Sequence, residues 1–228
     1  MGTTRMVYIV TMLFSLIVLI LSSSTVGYDY FQFTQQYQPA ACNSNPTPCK
    51  DPPDKLFTVH GLWPSNMNRS ELFNCSSSNV TYAKIQNIRT QLEMIWPNVF
   101  NRKNHLGFWN REWNKHGACG YPTIRNDLHY FQTVIKMYIT QKQNVSDILS
   151  KAKIEPDGNI RTQKEIVDAI RKGIHGKEPN LKCQKNTQMT ELVEVTLCSD
   201  GNLKQFIDCP HHFPNGSRHN CPTNHILY

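Results

Sequence analysis

Apolar and polar residues alternate in three stretches of the chain, and each stretch predicts a β-strand. The three stretches are residues 28–36, 55–60 and 193–197. Side chains point alternately to the two faces of a strand. In the second stretch, Phe57 and Val59 would therefore face one side, and Thr58 and His60 the other.

Two further segments repeat apolar residues at helical spacing. The apolar positions are Ile85, Ile88, Leu92 and Ile95 in a helix over 82–96 that Pro97 would end, and Leu128, Phe131, Ile135 and Tyr138 in a second helix. A third helix opens at Thr162, which forms a capping-box signature with Glu165, and Gly173 is its expected end. Strands and helices are mixed without a regular β-α-β rhythm, and no repeat or linker divides the chain. The sequence therefore predicts a single α+β domain.

The N-terminus carries a short apolar run, residues 6–21, which follows an arginine and precedes small residues at 22–27. This order is typical of a secretory signal peptide. The run is also shorter than the ~20 apolar residues of a membrane span. We therefore expect residues 1–27 to be a signal peptide and residues 28–228 to be one secreted domain with no membrane attachment. Cleavage after Ser24 would fit the residue sizes as well as cleavage after residue 27.

All eight cysteines follow the predicted signal peptide, and their even number predicts four disulfides in an oxidising compartment. A zinc site is not expected, because the chain contains no Cys-x-x-Cys pair. Five Asn-x-Ser/Thr triplets, which are glycosylation acceptors, agree with secretion. They begin at Asn68, Asn74, Asn79, Asn144 and Asn215. Three of them fall within residues 68–81, which predicts an exposed loop there.

The predicted mature chain is moderately basic. Without the arginine of the signal peptide, 23 basic side chains stand against 17 acidic ones, a formal charge of +6 with neutral histidines. Such a surface favours polyanions, of which RNA is one, although many basic surfaces are only solvated.

Two short stretches, 57–64 and 108–119, carry candidate chemistry within aromatic surroundings. In a helix over 108–117, Glu112 and His116 are four residues apart and share a face with Lys115, while Arg111 and Lys115 supply cations along it. Gly117 is a suitable end for that helix. His60 in the first stretch supplies a second imidazole. Each stretch alone also has a purely structural interpretation. The helix could carry Glu112 and His116 as an incidental surface pair, and His60 could be a structural histidine of its strand.

The combination predicts a metal-free site that breaks RNA through its own 2′-hydroxyl. That reaction needs one group to take a proton, one to give a proton, and positive charge for the phosphate. Imidazole suits both proton transfers because it titrates near pH ~6.5. DNA would not be cleaved, since it lacks the nucleophile.

Together the two stretches resemble the active-site segments of the ribonuclease T2 family, and within it most of all the plant S-RNases, the style glycoproteins of gametophytic self-incompatibility. The resemblance covers residues 28–228. It implies an antiparallel sheet packed with several helices, no cofactor, and an RNA substrate cleaved to a 2′,3′-cyclic phosphate. It also implies four disulfide pairs, which are Cys42–Cys49, Cys75–Cys119, Cys183–Cys221 and Cys198–Cys209.

Residue roles follow from the same resemblance. His116 matches the general base and His60 the general acid, an order that the residues alone do not reveal. Glu112 and Lys115 match the groups that surround the phosphate. Arg111 stands where many relatives carry a third histidine, and we expect it to bind phosphate without titrating.

The resemblance also points to pockets for the bases. Their members would be Gln36, Asn98, Val99 and Phe108, in which the ring stacks on a base and the amides read base edges. We assign Leu62 and Trp63 to packing behind His60. The pair His211-His212 is interpreted as part of a solvated loop rather than as a metal site.

Three functions remain open at this point. The first is a secreted S-RNase that acts as a cytotoxin on self pollen tubes, a monomer with a pollen-side recognition partner that reads the exposed segment 66–81. The second is an S-like ribonuclease for defence or phosphate scavenging, against which the basic charge argues. The third is a non-enzymatic secreted glycoprotein on the same scaffold, against which the two retained histidines argue.

Overall fold

The computed structural model describes residues 27–44, 49–68, 72–76, 78–186, 189–211 and 217–228. The predicted signal peptide up to residue 26, His212 and the sequon residue Asn215 lie outside these ranges. Within the described ranges, no helix combines the length and the apolar character needed to cross a membrane.

The described strands form a single seven-stranded sheet with the order β2-β1-β5-β7-β3, in which β4 and β6 also pair with β5. The strands are β1 (Tyr30–Tyr37), β2 (Phe57–Ser65), β3 (Ile160–Arg161), β4 (Asn180–Lys185), β5 (Thr190–Asp200), β6 (Phe206–Ile207) and β7 (Ile226–Leu227). Every pairing is antiparallel except that of β5 with β7, which is parallel. The three predicted strands are confirmed, and the sheet is antiparallel apart from this short C-terminal pairing.

Along the sequence, helices and strands follow one another without a regular alternation, which confirms the α+β class. They are α1 (Gln38–Ser44), α2 (Tyr82–Ile85), α3 (Arg89–Ile95), α4 (His105–Lys115), α5 (Asp127–Ile135), α6 (Val145–Lys151) and α7 (Gln163–Gly173). The helix predicted over 82–96 is two helices, α2 and α3. The break includes Asn87, a residue type that favours turns over helix interiors. Helix α7 begins with the predicted capping box and ends at Gly173.

Two apolar clusters lie side by side on one face of the sheet, since Phe33 of one cluster is the cross-strand partner of Leu197 of the other. One packs α6 and α7 against β5 and includes Ile166, Ile170 and Val195, all fully buried. The other packs α3, α4 and α5 against β1 and β2 and includes Phe33 and Trp109. The opposite faces of β1 and β5 carry buried polar side chains. They are Gln32, Thr34, Gln36, Glu194 and Thr196. Each of these buried polar groups needs a hydrogen-bond partner. This face therefore brings paired polar side chains together, as a functional site requires.

The four disulfides are the pairs that the family resemblance implied: Cys42–Cys49, Cys75–Cys119, Cys183–Cys221 and Cys198–Cys209. The second pair ties the segment 72–76 to a 3₁₀ turn, Gly117–Gly120, that follows α4.

The sequon residues Asn68, Asn74 and Asn79 are exposed, as the predicted loop requires. Asn144 is half-buried and caps α6, because its side-chain oxygen accepts a hydrogen bond from the amide of Ser146 at 3.0 Å. Their glycosylation stays a prediction.

Candidate active site

His60 lies at an irregularity in strand β2. In the pairing of β1 with β2, Thr34 faces Gly61 and Gln35 faces Val59, so His60 is the extra residue of a β-bulge. Bulges re-aim side chains and are frequent next to active sites. The indole of Trp96 donates a hydrogen bond to the His60 carbonyl at 2.9 Å, which fixes the bulge against the helical layer.

Helix α4 positions the second imidazole. The helix ends at Lys115, and His116 is its C-cap, whose backbone N–H still donates to the Glu112 carbonyl at 3.1 Å. The chain then turns at Gly117, where a Cβ atom would lie 2.8–2.9 Å from the rings of Trp113 and Tyr130. Glycine is therefore required by this close approach.

One cavity of about 540 Å³ brings the two predicted stretches together. The residues that line it are Tyr30, Gln32, His60, Trp63, Pro64, Ser65, Asn66, Leu72, Phe73, Glu112, Lys115, His116, Pro210 and His211. His60, Glu112, Lys115 and His116 therefore share one space, as the sequence predicted. Its size falls within the range of ligand-binding pockets.

Trp63 contacts both imidazoles and lines the cavity, so its assignment to packing was wrong. Its ring centroid is 5.1 Å from that of His60 and 5.3 Å from that of His116. Its indole nitrogen donates to Glu112 Oε2 at 2.9 Å. Leu62 is fully buried and does pack behind the site.

Gly61, the residue after His60, occupies a position that has no room for a side chain. A Cβ atom there would lie 2.1 Å from Trp63 Nε1 and 2.6 Å from Glu112 Oε2. Real Cβ atoms do not come this close, so any larger residue would displace the hydrogen bond between these two side chains.

Glu194 of β5 is the partner of His60, and neither of the two sequence motifs predicts it. His60 Nδ1 is 2.7 Å from Glu194 Oε1, and Lys182 Nζ of β4 is 3.0 Å from Glu194 Oε2. Burial acts to lower the pKa of His60, but the hydrogen bond and charge of Glu194 outweigh it and raise that pKa. Burial would raise the pKa of Glu194, yet the same bond and the Lys182 charge hold it at about 2.

His116 has the opposite environment. Burial lowers its pKa, and the positive charges of Lys115 and His60 lower it further, to about 4. Glu112 is also buried, which raises its pKa against the opposing charge of His60 and the hydrogen bond from Trp63. At mildly acidic pH, these opposite shifts favour the protonated form of His60 and the neutral form of His116.

The two cations of α4 differ in position. Lys115 is exposed and lines the cavity, with its Nζ atom 5.2 Å from the centroid of the Phe73 ring. Arg111 is exposed and does not line the cavity, and its guanidinium carbon lies 5.9 Å from the Phe108 ring. Phosphate binding by Arg111 stays a prediction.

The residues predicted to bind bases lie outside the lining of this cavity. Gln36, Asn98 and Val99 are buried. The Asn98 amide bonds within its own loop, since it donates to the Asn104 carbonyl at 3.0 Å and accepts from the Asn101 amide at 3.2 Å. The Phe108 ring is 6.3 Å from the His60 ring. A base pocket formed by these residues stays a prediction.

The far side of the cavity contains polar residues that the sequence did not reveal. Gln32 donates to the Tyr30 hydroxyl at 2.9 Å and to Ser65 Oγ at 3.0 Å. His211, which the sequence placed in a solvated loop, lines the cavity. In the part of the chain that the structure describes, no three His, Cys, Asp or Glu side chains cluster in a way that could hold a metal ion.

Comparison with known proteins agrees with this arrangement. Residues 28–209 match the model of the Ribonuclease T2 family. The chain is 66% identical to Ribonuclease S-6 of Pyrus pyrifolia over 229 residues, which cover 100% of both chains. Its structure is similar to the crystal structure of Japanese pear S3-RNase, with a TM-score of 0.83 and 63% identity over 88% of this chain and 100% of that one. A mutant of RNase MC1 in complex with 5′-GMP is also similar, with a TM-score of 0.74 and 31% identity over 87% of this chain and 99% of that one.

Proposed function

The chain belongs to the Ribonuclease T2 family and is an endoribonuclease, and on that premise we propose which side chains perform the cleavage. His116, neutral at mildly acidic pH, takes the proton of a ribose 2′-hydroxyl. The 2′-oxygen attacks the adjacent phosphorus, and the bond from phosphorus to the 5′-oxygen breaks. His60 gives its proton to that leaving oxygen, and the product carries a 2′,3′-cyclic phosphate.

Lys115 and Glu112 act on the phosphate between the two imidazoles. The Lys115 ammonium offsets the charge that builds up on the phosphoryl oxygens as the phosphorus becomes pentacoordinate. Positioned charge of this kind is worth about 3 kcal/mol of barrier. Glu112, held by the Trp63 indole, lies in the same lining and orients the phosphate from the other direction.

One observation carries the proposal: the two imidazoles line one cavity beside the same indole ring, and Glu194 contacts His60 while the Lys115 charge acts on His116, which favours opposite protonation of the pair. General acid–base catalysis requires this difference, because two neutral or two protonated histidines could not complete both proton transfers.

A dinucleotide with a single cleavable bond tests the chemistry. In the presence of a metal chelator, we expect cleavage that leaves a 2′,3′-cyclic phosphate. The matched control is the same dinucleotide with a 2′-deoxyribose on the 5′ side, which should stay intact. Cleavage of the deoxy compound, or a linear phosphate as the first product, would contradict the proposal.

We infer further that the protein acts in gametophytic self-incompatibility, as a secreted cytotoxin in the style. The name S-RNase of the pear relatives supports this role, as does the basic charge of the mature chain. A monomer with a pollen-side partner at the segment 66–81, of which Asn68, Asn74 and Asn79 are exposed, belongs to the same proposal. Accumulation confined to the style would support it, whereas induction in starved or wounded leaves would favour an S-like ribonuclease.

A further inference from the structure

The contact between His60 and Glu194 joins β2 and β5, which lie on either side of β1 in the sheet. The two residues are 134 positions apart in the sequence. In the register of the sheet, Glu194 faces Gln36 on one neighbouring strand and Lys182 on the other. Glu194 is buried, with its side chain 11% exposed, and each of its oxygens has a nitrogen partner, His60 Nδ1 on one and Lys182 Nζ on the other. Its carboxylate is therefore held from two sides.

We propose that Glu194 is the positioning residue of the general acid: its carboxylate holds the His60 imidazolium so that Nδ1–H points to β5 and Nε2–H points to the reacting phosphate. The inference rests on the proposed function, because it assumes that His60 gives a proton. Lys182 fixes the second oxygen of the carboxylate and so limits its rotation.

The chemistry of a half-buried histidine explains why such a partner is needed. Burial disfavours the charged form of the imidazole, and without a counter-charge His60 would lose the proton it must give. The charged groups that act on His60 are Glu194 and Lys182 from the sheet and Glu112 from α4, while the His116 and Lys115 side chains share the cavity. Glu112 is bonded to Trp63, so Glu194 is the carboxylate that contacts the imidazole directly.

The proton balance is closed without protonating Glu194. In the cleavage step, the Nε2 proton moves from His60 to the 5′-oxygen, and His60 becomes neutral with its Nδ1–H still donated to the carboxylate. In the later hydrolysis of the cyclic phosphate, the same Nε2 takes a proton from the attacking water. The carboxylate stays ionised throughout and keeps the same tautomer of His60 available for both steps.

The substitution Glu194→Gln separates charge from shape, because the amide oxygen can still accept from Nδ1–H. Hydrogen bonds to ionised groups are roughly twice as strong as neutral ones. We expect kcat at neutral pH to fall about tenfold to a hundredfold. The alkaline limb of the pH–kcat profile should move to lower pH, and KM should change less than kcat. Glu194→Asp retains the charge and should keep the alkaline limb close to that of the wild type.

Lys182→Met is the matched control on the other side of the carboxylate. The Lys182 charge lowers the proton affinity of His60. Its removal should therefore move the alkaline limb to higher pH, opposite to the shift in Glu194→Gln. A purely structural role of the cluster would not produce shifts of opposite sign.

The possible results can be told apart. A wild-type pH profile in Glu194→Gln, or an equal loss of activity at all pH values in both variants, would overturn the positioning role. Thermal denaturation shows whether the Glu194→Gln variant is folded. If it is not, two results decide the question: the direction in which the alkaline limb moves in Lys182→Met, and whether Glu194→Asp keeps the alkaline limb of the wild type. Wild-type cleavage and an inactive His60→Ala variant, measured on the same dinucleotide, test the proposed function independently of Glu194.

Discussion

The strand that carries His60 and the helix end that carries His116 give the same side chain opposite properties. His60 lies in the sheet, where the pairing of the strands brings the buried carboxylate of Glu194, 134 residues away in the sequence, into contact with it. His116 lies at a helix C-cap, one residue after Lys115, with no carboxylate among the groups that act on its pKa. The comparison shows that the proton affinity of a histidine is set by the charge that its backbone context brings within reach.

Removing either imidazole should have the largest effect. We expect His60→Ala and His116→Ala each to lower kcat/KM by about 10²- to 10⁴-fold, because each removes one proton transfer. The kcat/KM of the double variant should be only slightly below that of the less active single variant, since the two groups act as a unit.

His175→Asn is the matched control for these variants. His175 is exposed, lies outside the cavity and has a positive φ of 56° that asparagine tolerates. Activity on the dinucleotide should stay at the wild-type level. Near-normal cleavage by either alanine variant would contradict the assignment of the pair.

The next effect concerns the cation beside His116. Lys115→Met should lower kcat by roughly 10²-fold, because it removes positioned charge at the phosphate. It should also move the acidic limb of the pH–kcat profile to higher pH, since the Lys115 charge holds down the pKa of His116.

Arg111→Met is the comparison on the same helix. Arg111 does not line the cavity, so we expect at most a severalfold rise in KM and an unchanged acidic limb. Equal losses of kcat in the two variants would show that Arg111 also reaches the reacting phosphate.

The smallest effect on activity concerns the disulfide beside α4. Replacing Cys75 and Cys119 by serine should destabilise the fold by about 2–4 kcal/mol, an amount that grows only slowly with the length of the closed loop. Replacing Cys183 and Cys221 should have a similar effect on stability, since the sequence separations are 44 and 38.

The two variants should differ in activity below their melting temperatures. The first frees the turn that follows His116, so its kcat should fall a few-fold. The second bridge contributes no residue to the cavity lining and reaches the site only through the neighbouring Lys182, so its kcat should fall less. Identical kcat values in both variants would show that the bridge beside α4 does not help to place His116.

The sequence predicts features that depend on neighbouring residues. Helix α7 is predicted at both ends, because Thr162, Glu165 and Gly173 carry its limits within one segment. The short strand β7 and its parallel pairing are not predicted, since two residues show no period. The break between α2 and α3 is missed because the apolar spacing continues across it.

The same distinction holds for the site. His60, Glu112 and His116 are predicted because two local motifs contain them. Glu194 is missed because its contact with His60 depends on the registers of β2 with β1 and of β1 with β5, which alternation alone does not fix. The available signal was a carboxylate in the middle of an apolar strand, between Val193 and Val195.

A comparison of the protonation of the two imidazoles at the same pH is the most direct test of which histidine is the acid and which is the base. Histidine side chains labelled with ¹⁵N can be followed by NMR from pH 3.5 to 8.5, with His60→Ala and His116→Ala used to assign the two signals. We expect His116 to titrate near pH 4 and His60 above the ordinary value of about 6.5. Titration of His60 below His116 would contradict the assignment of acid and base.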